Sequence, residues 1–114
     1  MDAIRALSAL AQESRLAAFR LLIRRGLEGM PAGEIARALD VPHNTMSAHL
    51  AVLSNAGLIA ARRRGRSILY AIALGKVRDL LAFLMEDCCR GKPEVCAPLI
   101  ACVLPECCGE ESRP

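Results

Sequence analysis

Apolar residues in the first half of the chain recur at three- and four-residue intervals, the period of a helix with one buried face. Ile4, Leu7, Leu10 and Ala11 predict a short helix over residues 2–11. Leu16, Phe19, Leu22 and Ile23 predict a second, with Ser14 placed to cap it and Gly26 to stop it. A start near Gln12, with Ser14 already inside the helix, fits the same pattern. The loop GLEGMPAG leads to a third helix near Ala32–Leu39, with Ile35 and Leu39 inward. Asp40-Val41-Pro42 is a tight break, and proline suits a helix start. A fourth helix then runs to about Asn55, with Met46, Leu50 and Leu53 inward and Gly57 as a left-handed cap.

The pattern changes after Gly57. Leu58–Arg62 and Ser67–Ala73 are β-capable and flank the basic turn RRRGRS. That is a hairpin signal, although Gly65 lacks the Asn-Gly or Asp-Gly pairing that would make it strong. A last helix, about Leu74–Cys89, carries Val77, Leu80, Leu81, Leu84 and Cys88 along one stripe. Beyond it, Gly91, Pro93, Pro98 and Pro105 make the tail irregular, with room for at most a short helical turn at Ala97–Val103.

Composition supports this reading. The 114 residues are 54% hydrophobic but only 3% aromatic, a balance suited to one small helical domain rather than a β-sandwich. Charges interrupt every apolar run well before the ~20 residues a membrane span needs. The stretch ALSALA is too short for a signal peptide, and Asp2 precedes it. A soluble, cytoplasmic protein without a membrane partner is expected.

Charge and sulfur divide the chain. Residues 1–85 carry 12 Lys/Arg against 6 Asp/Glu, whereas residues 86–114 carry 3 against 6. A basic body suits an anionic partner, and the acidic tail a different task. All six cysteines (Cys88, Cys89, Cys96, Cys102, Cys107 and Cys108) lie in the last 27 residues.

Two short helices joined by a tight turn, the second followed by a basic hairpin, have the order of a winged helix-turn-helix. The second helix of such a pair fits the major groove of double-stranded DNA, and residues near its N-terminus reach base edges. Here those are His43, Asn44, Thr45, Ser47, Ala48 and His49. Arg62, Arg63, Arg64 and Arg66 on the hairpin would approach phosphates or the minor groove. An arginine-rich turn standing alone is ordinarily a solvated loop, and His49 also fits a hydrogen-bonded histidine partly under its helix. The linear order of all the pieces within about 40 residues favours the DNA-reading alternative.

The segment EIARALDVPHNTMSAHLAVLSNAGLIAARRRGRSILYAI resembles the DNA-binding core of the ArsR/SmtB family of metal-responsive repressors. The likeness rests on Glu34-Ile35-Ala36 with Leu39, Thr45-Met46-Ser47, His49-Leu50, Leu53 with Ala56-Gly57-Leu58, and Arg64-Gly65-Arg66 before Tyr70. Ser14-Arg15-Leu16 upstream resembles the family's second helix, so the resemblance covers about residues 5–88. It implies a mainly α fold with a small β-hairpin, a winged helix-turn-helix forming a homodimer through its first and last helices, and binding to an inverted-repeat operator. Residues 1–90 would form the DNA-binding and dimerisation domain, and 91–114 an irregular Cys-rich tail. Pro42 stands where the family often has a serine cap, and Ala48 where Arg or Lys is common, so base preference does not carry over.

Family members hold inducing metals at several places. The cysteines needed at the start of the third helix are missing from Ala32-Gly33-Glu34-Ile35-Ala36, and Asp79 on the last helix has no histidine beside it. The tail CCRGKPEVC instead resembles arsenic-responsive members with a vicinal cysteine pair and a third cysteine a few residues on. That resemblance implies Cys88, Cys89 and Cys96 as ligands of arsenic(III), or of antimony(III). Trivalent arsenic takes three thiolates in a pyramid, and all-sulfur ligation selects thiophilic ions. The tail has no histidine and no C-x2-C, so the usual zinc spacings are missing. Cys102, Cys107 and Cys108 are further candidate ligands, for a second site or as partners in the first. Disulfides or inert buried thiols are the competing explanation; disulfides persist poorly in a reducing cytosol, and a buried Cys88 would simply continue the apolar stripe. An enzyme is not expected: no Gly-rich or Arg-framed anion loop precedes any cysteine. A metal-buffering protein would leave the helix-turn-helix and hairpin without a use.

Overall fold

The computed structural model describes residues 2–85. The chain divides after Leu80, and of the second unit only the end of the last helix is described.

Helix α1 spans Ala3–Leu10, where the Asp2 carboxylate accepts from the Arg5 N–H at 3.1 Å and supplies the cap. Helix α2 spans Glu13–Arg25. Its cap is Gln12, whose side chain accepts from Arg15 N–H at 2.8 Å, so Ser14 lies inside the first turn. Glu13 at its start and Arg24 and Arg25 at its end both oppose the helix dipole. Gly26, at φ 82°, ends the helix and opens a 3-10 turn over Gly26–Glu28. Strand β1 is the pair Met30–Pro31, helix α3 spans Ala32–Leu39 and helix α4 spans His43–Asn55. Strands β2 (Ile59–Arg64) and β3 (Ser67–Ile72) form the hairpin, and helix α5 follows from Leu74 to Met85.

The core gathers where α2, α3, α4 and the strands converge. Leu22, Ile35, Met46, Leu50, Leu53 and Leu58 are its largest fully buried side chains. Each contributes roughly 1.5–3 kcal/mol relative to exposure. The inward positions expected on α3 and α4 are therefore found, with Leu39 packed against the core rather than within it.

Three of the apolar stripes are only partly buried, that on α2 leaving Leu16 and Ile23 exposed. On α1 the buried residues are Ala6 and Ala9, whereas Ile4 is 77% and Leu7 39% exposed. The stripe on α5 likewise splits: Leu80 is buried and Val77 packs on the core, but Leu81 and Leu84 are exposed, as is Phe83. Periodicity finds an apolar face without saying what covers it. The expected run of α5 on to Cys89 and the whole cysteine tail lie outside the described residues.

The sheet is antiparallel with order β1-β3-β2. Strand β1 was not expected; two residues are too few to show alternation, and Pro31 is tolerated because β1 is an edge. Gly29 permits this pairing. At φ 80° it lies so close to β3 that a Cβ would stand 2.7 Å from the Tyr70 carbonyl oxygen. The hairpin closes with Arg64 opposite Ser67, leaving a two-residue loop of Gly65 and Arg66. Gly65 has φ 61° and Arg66 has no positive φ, the pattern of a tight turn with glycine first. No helix among the described residues is long and apolar enough to cross a membrane.

Candidate nucleic-acid interface

The α3–α4 pair turns on Asp40, whose left-handed backbone (φ 56°, ψ 48°) caps α3 through its N–H to the Ala36 and Arg37 carbonyls. Pro42 then presets the entry of α4 and offers no side-chain cap. The N–H groups of the first α4 turn are consequently uncapped, and such a terminus attracts phosphate oxygens. Met46, Leu50 and Leu53 fix the helix inward, which turns His43, Asn44, Thr45 and Ala48 outward as exposed residues. Ser47 and His49 are half-buried at the margins of that face.

His49 is held from below. Arg15 donates its Nε–H to the Ala9 carbonyl at 2.6 Å and brings Nη1 to 3.5 Å from His49 Nδ1. A guanidinium has donors only, so in this contact Nδ1 is the accepting nitrogen. The reading of His49 as a hydrogen-bonded histidine partly under its helix is the one this contact matches. In the sequence Arg15 stands out only as part of the Ser14-Arg15-Leu16 likeness, because nothing in linear order links α2 to α4.

The hairpin projects Arg62, Arg63, Arg64 and Arg66, all exposed. Among the described residues no carboxylate pairs with any of them. Strand alternation puts Arg63 on the opposite face from Arg62 and Arg64. Arg62 departs from the rest by folding back, its Nη2 donating to the carbonyls of Leu27 and Glu28 at 3.2 Å each. A hollow at the α3–α4 turn is lined by Gly33, Arg37, Asp40, Val41, Pro42 and His43. Gly33 leaves room there, since a Cβ would meet Arg37 and His43 only at ordinary contact distance.

Among the described residues, no three His, Cys, Asp or Glu side chains gather to hold a metal. The six cysteines lie outside the described residues.

A buried-backed helix with a polar outward face, beside an arginine-bearing hairpin, defines a winged helix-turn-helix DNA-binding domain. The helix-turn-helix domain family matches residues 10–62. The homodimeric winged helix-turn-helix domain of Mb0332 from Mycobacterium bovis, described as a possible ArsR-family transcriptional regulator, is 35% identical. The match covers 72% of this chain and 73% of that one, with a TM-score of 0.60. The chain belongs to this ArsR-type family of transcriptional regulators. The transcriptional activator HlyU of Vibrio cholerae is 27% identical over 84 residues, 74% of this chain and 75% of that one. The structure of reduced HlyU, 26% identical, covers 77% of this chain and 90% of that one with a TM-score of 0.59. A possible transcriptional regulator for arsenical resistance is 26% identical, covering 70% and 83%, with a TM-score of 0.57.

Proposed function

We propose that this regulator is a cytoplasmic repressor that binds operator DNA as a homodimer and leaves it when trivalent arsenic, or antimony, binds its cysteine thiolates. The observation that carries this reading is the concentration of all six cysteines in the 27 residues after position 87. Cys88, Cys89 and Cys96 form the primary ligand set, with Cys102, Cys107 and Cys108 as further candidates. Arsenous acid, As(OH)3, exchanges its three hydroxyls for three thiolates, and each thiol proton leaves with one hydroxyl as water, three waters in all. The likeness to a possible regulator for arsenical resistance supports the choice of ion.

Homodimerisation draws support from the exposed Ile4 and Leu7 on α1 and Leu81, Phe83 and Leu84 on α5, apolar groups a partner subunit would cover. Mb0332, homodimeric in its own structure, supports the same reading. His43, Asn44, Thr45, Ser47, Ala48 and His49 face base edges in this account, and Arg63, Arg64 and Arg66 the phosphates. Ion binding must be tighter to the DNA-free form, with a coupling of roughly 1–3 kcal/mol being typical.

Operator binding by fluorescence anisotropy, with arsenite, cadmium and zinc added in turn, tests the assignment. Arsenite is expected to release the wild type but not Cys88→Ser, Cys89→Ser or Cys96→Ser. Release of all three variants would remove these cysteines from the site. A second reading, thiol oxidation as the signal, is favoured by vicinal cysteines and by the relative characterised in a reduced form. Peroxide releasing DNA where arsenite does not would select it.

A further inference from the structure

Arg62 is the wing arginine whose partners are already in the protein. Its Nη2 reaches the Leu27 and Glu28 carbonyls, both 3.2 Å away and both at the end of the 3-10 turn. Such terminal carbonyls have no partner within the turn, and a guanidinium is well shaped to hold two at once. The same turn is tied down from its other side. Arg25 donates Nε–H to the Gly29 carbonyl at 3.3 Å, lies 3.4 Å from the Glu28 carboxylate and extends Nη2 to within 3.9 Å of Glu34 on α3. Gly29 then passes close enough to β3 that only a glycine fits, the Tyr70 carbonyl standing where a Cβ would be. The 3-10 turn is therefore gripped by α2 and α3 on one side and by the hairpin on the other.

We infer that Arg62 is a wing-positioning residue: it anchors the hairpin to the 3-10 turn and sets the angle at which Arg63, Arg64 and Arg66 are presented, and it does not itself neutralise a phosphate. This rests on the hairpin being a DNA-contacting wing, and it separates four adjacent arginines into two jobs. Loss of an arginine that neutralises a phosphate lowers the slope of log affinity against log salt by about 0.9. Loss of one that only positions the wing weakens binding with the slope kept.

The experiment uses the full chain and a fluorescent duplex selected with it from a random-sequence pool. Arg62→Ala is expected to weaken binding about fivefold, the order for losing exposed charge-assisted hydrogen bonds, without changing the salt slope. Gly29→Ala, which displaces the turn but alters no charge, is expected to weaken binding similarly. The double variant should be hardly weaker than either single one, because both break one link. A slope reduced by about 0.9 in Arg62→Ala, or additive effects in the double variant, overturns the inference. Amide hydrogen exchange in the free protein tests the anchor without DNA. Arg62→Ala should speed exchange over residues 26–31 and 59–72 and leave the α4 core unchanged, and unaltered exchange there overturns the anchor. Failure of the wild type to bind any duplex, with exchange in Arg62→Ala as expected, would instead count against the DNA-binding reading.

Discussion

Asp40 shows how much one backbone conformation carries. At φ 56° and ψ 48° it turns the chain between α3 and α4 and donates its N–H back to α3. Aspartate tolerates this left-handed region better than most residues, and a β-branched one does not. Asp40→Gly is expected to fold with equal or slightly greater stability, whereas Asp40→Val loses about 1–2 kcal/mol. Urea unfolding of both variants checks the contrast, and equal stabilities would show that the turn is not under this constraint. At the same scale the core was readable. Ile35, Met46, Leu50 and Leu53 lie where helical spacing put them, because the buried face of a short helix leaves little choice. The wing arginines were readable as a group but not singly. Arg62 parts from its neighbours through carbonyls 34 and 35 residues away, which carry no sequence signature.

Elements were legible in proportion to their length. Helices α3 and α4 match their expected bounds closely, and the hairpin appears where RRRGRS placed it. The two-residue β1 carries no pattern in the sequence, and of the two starts that the sequence allows for α2 the structure has the one at Gln12. More instructive is α1, which buries Ala6 and Ala9 and packs Leu10 on the core while Ile4 and Leu7 stay exposed. A helix with Ala6 and Ala9 inward can approach its neighbours closely, and Ile4 and Leu7 remain for another surface. If α1 forms the proposed homodimer interface, Leu7→Glu gives a monomer with the helical content kept. Light scattering after size exclusion, beside far-UV circular dichroism, measures both. A charged variant that stays dimeric would place the interface off α1.

On the scale of the whole molecule, the chain joins a basic body to an acidic tail holding all six of its cysteines. The body's class was legible because a long ordered series of weak signals converged: break, polar helix, glycine cap, basic hairpin. The candidate inducer site is legible only as chemistry, through ligand type and spacing, and its cysteines lie outside the described residues. Linkage connects the two parts without requiring any particular path. If arsenic weakens DNA binding by some factor, DNA must weaken arsenic binding by the same factor. The most direct measurement is therefore arsenite affinity of the free and of the operator-bound protein, in wild type and in Cys96→Ser. The account predicts weaker arsenite binding on DNA, matching the factor by which arsenite weakens operator binding, with that coupling lost in the variant. Equal arsenite affinity in the free and DNA-bound wild type would contradict it.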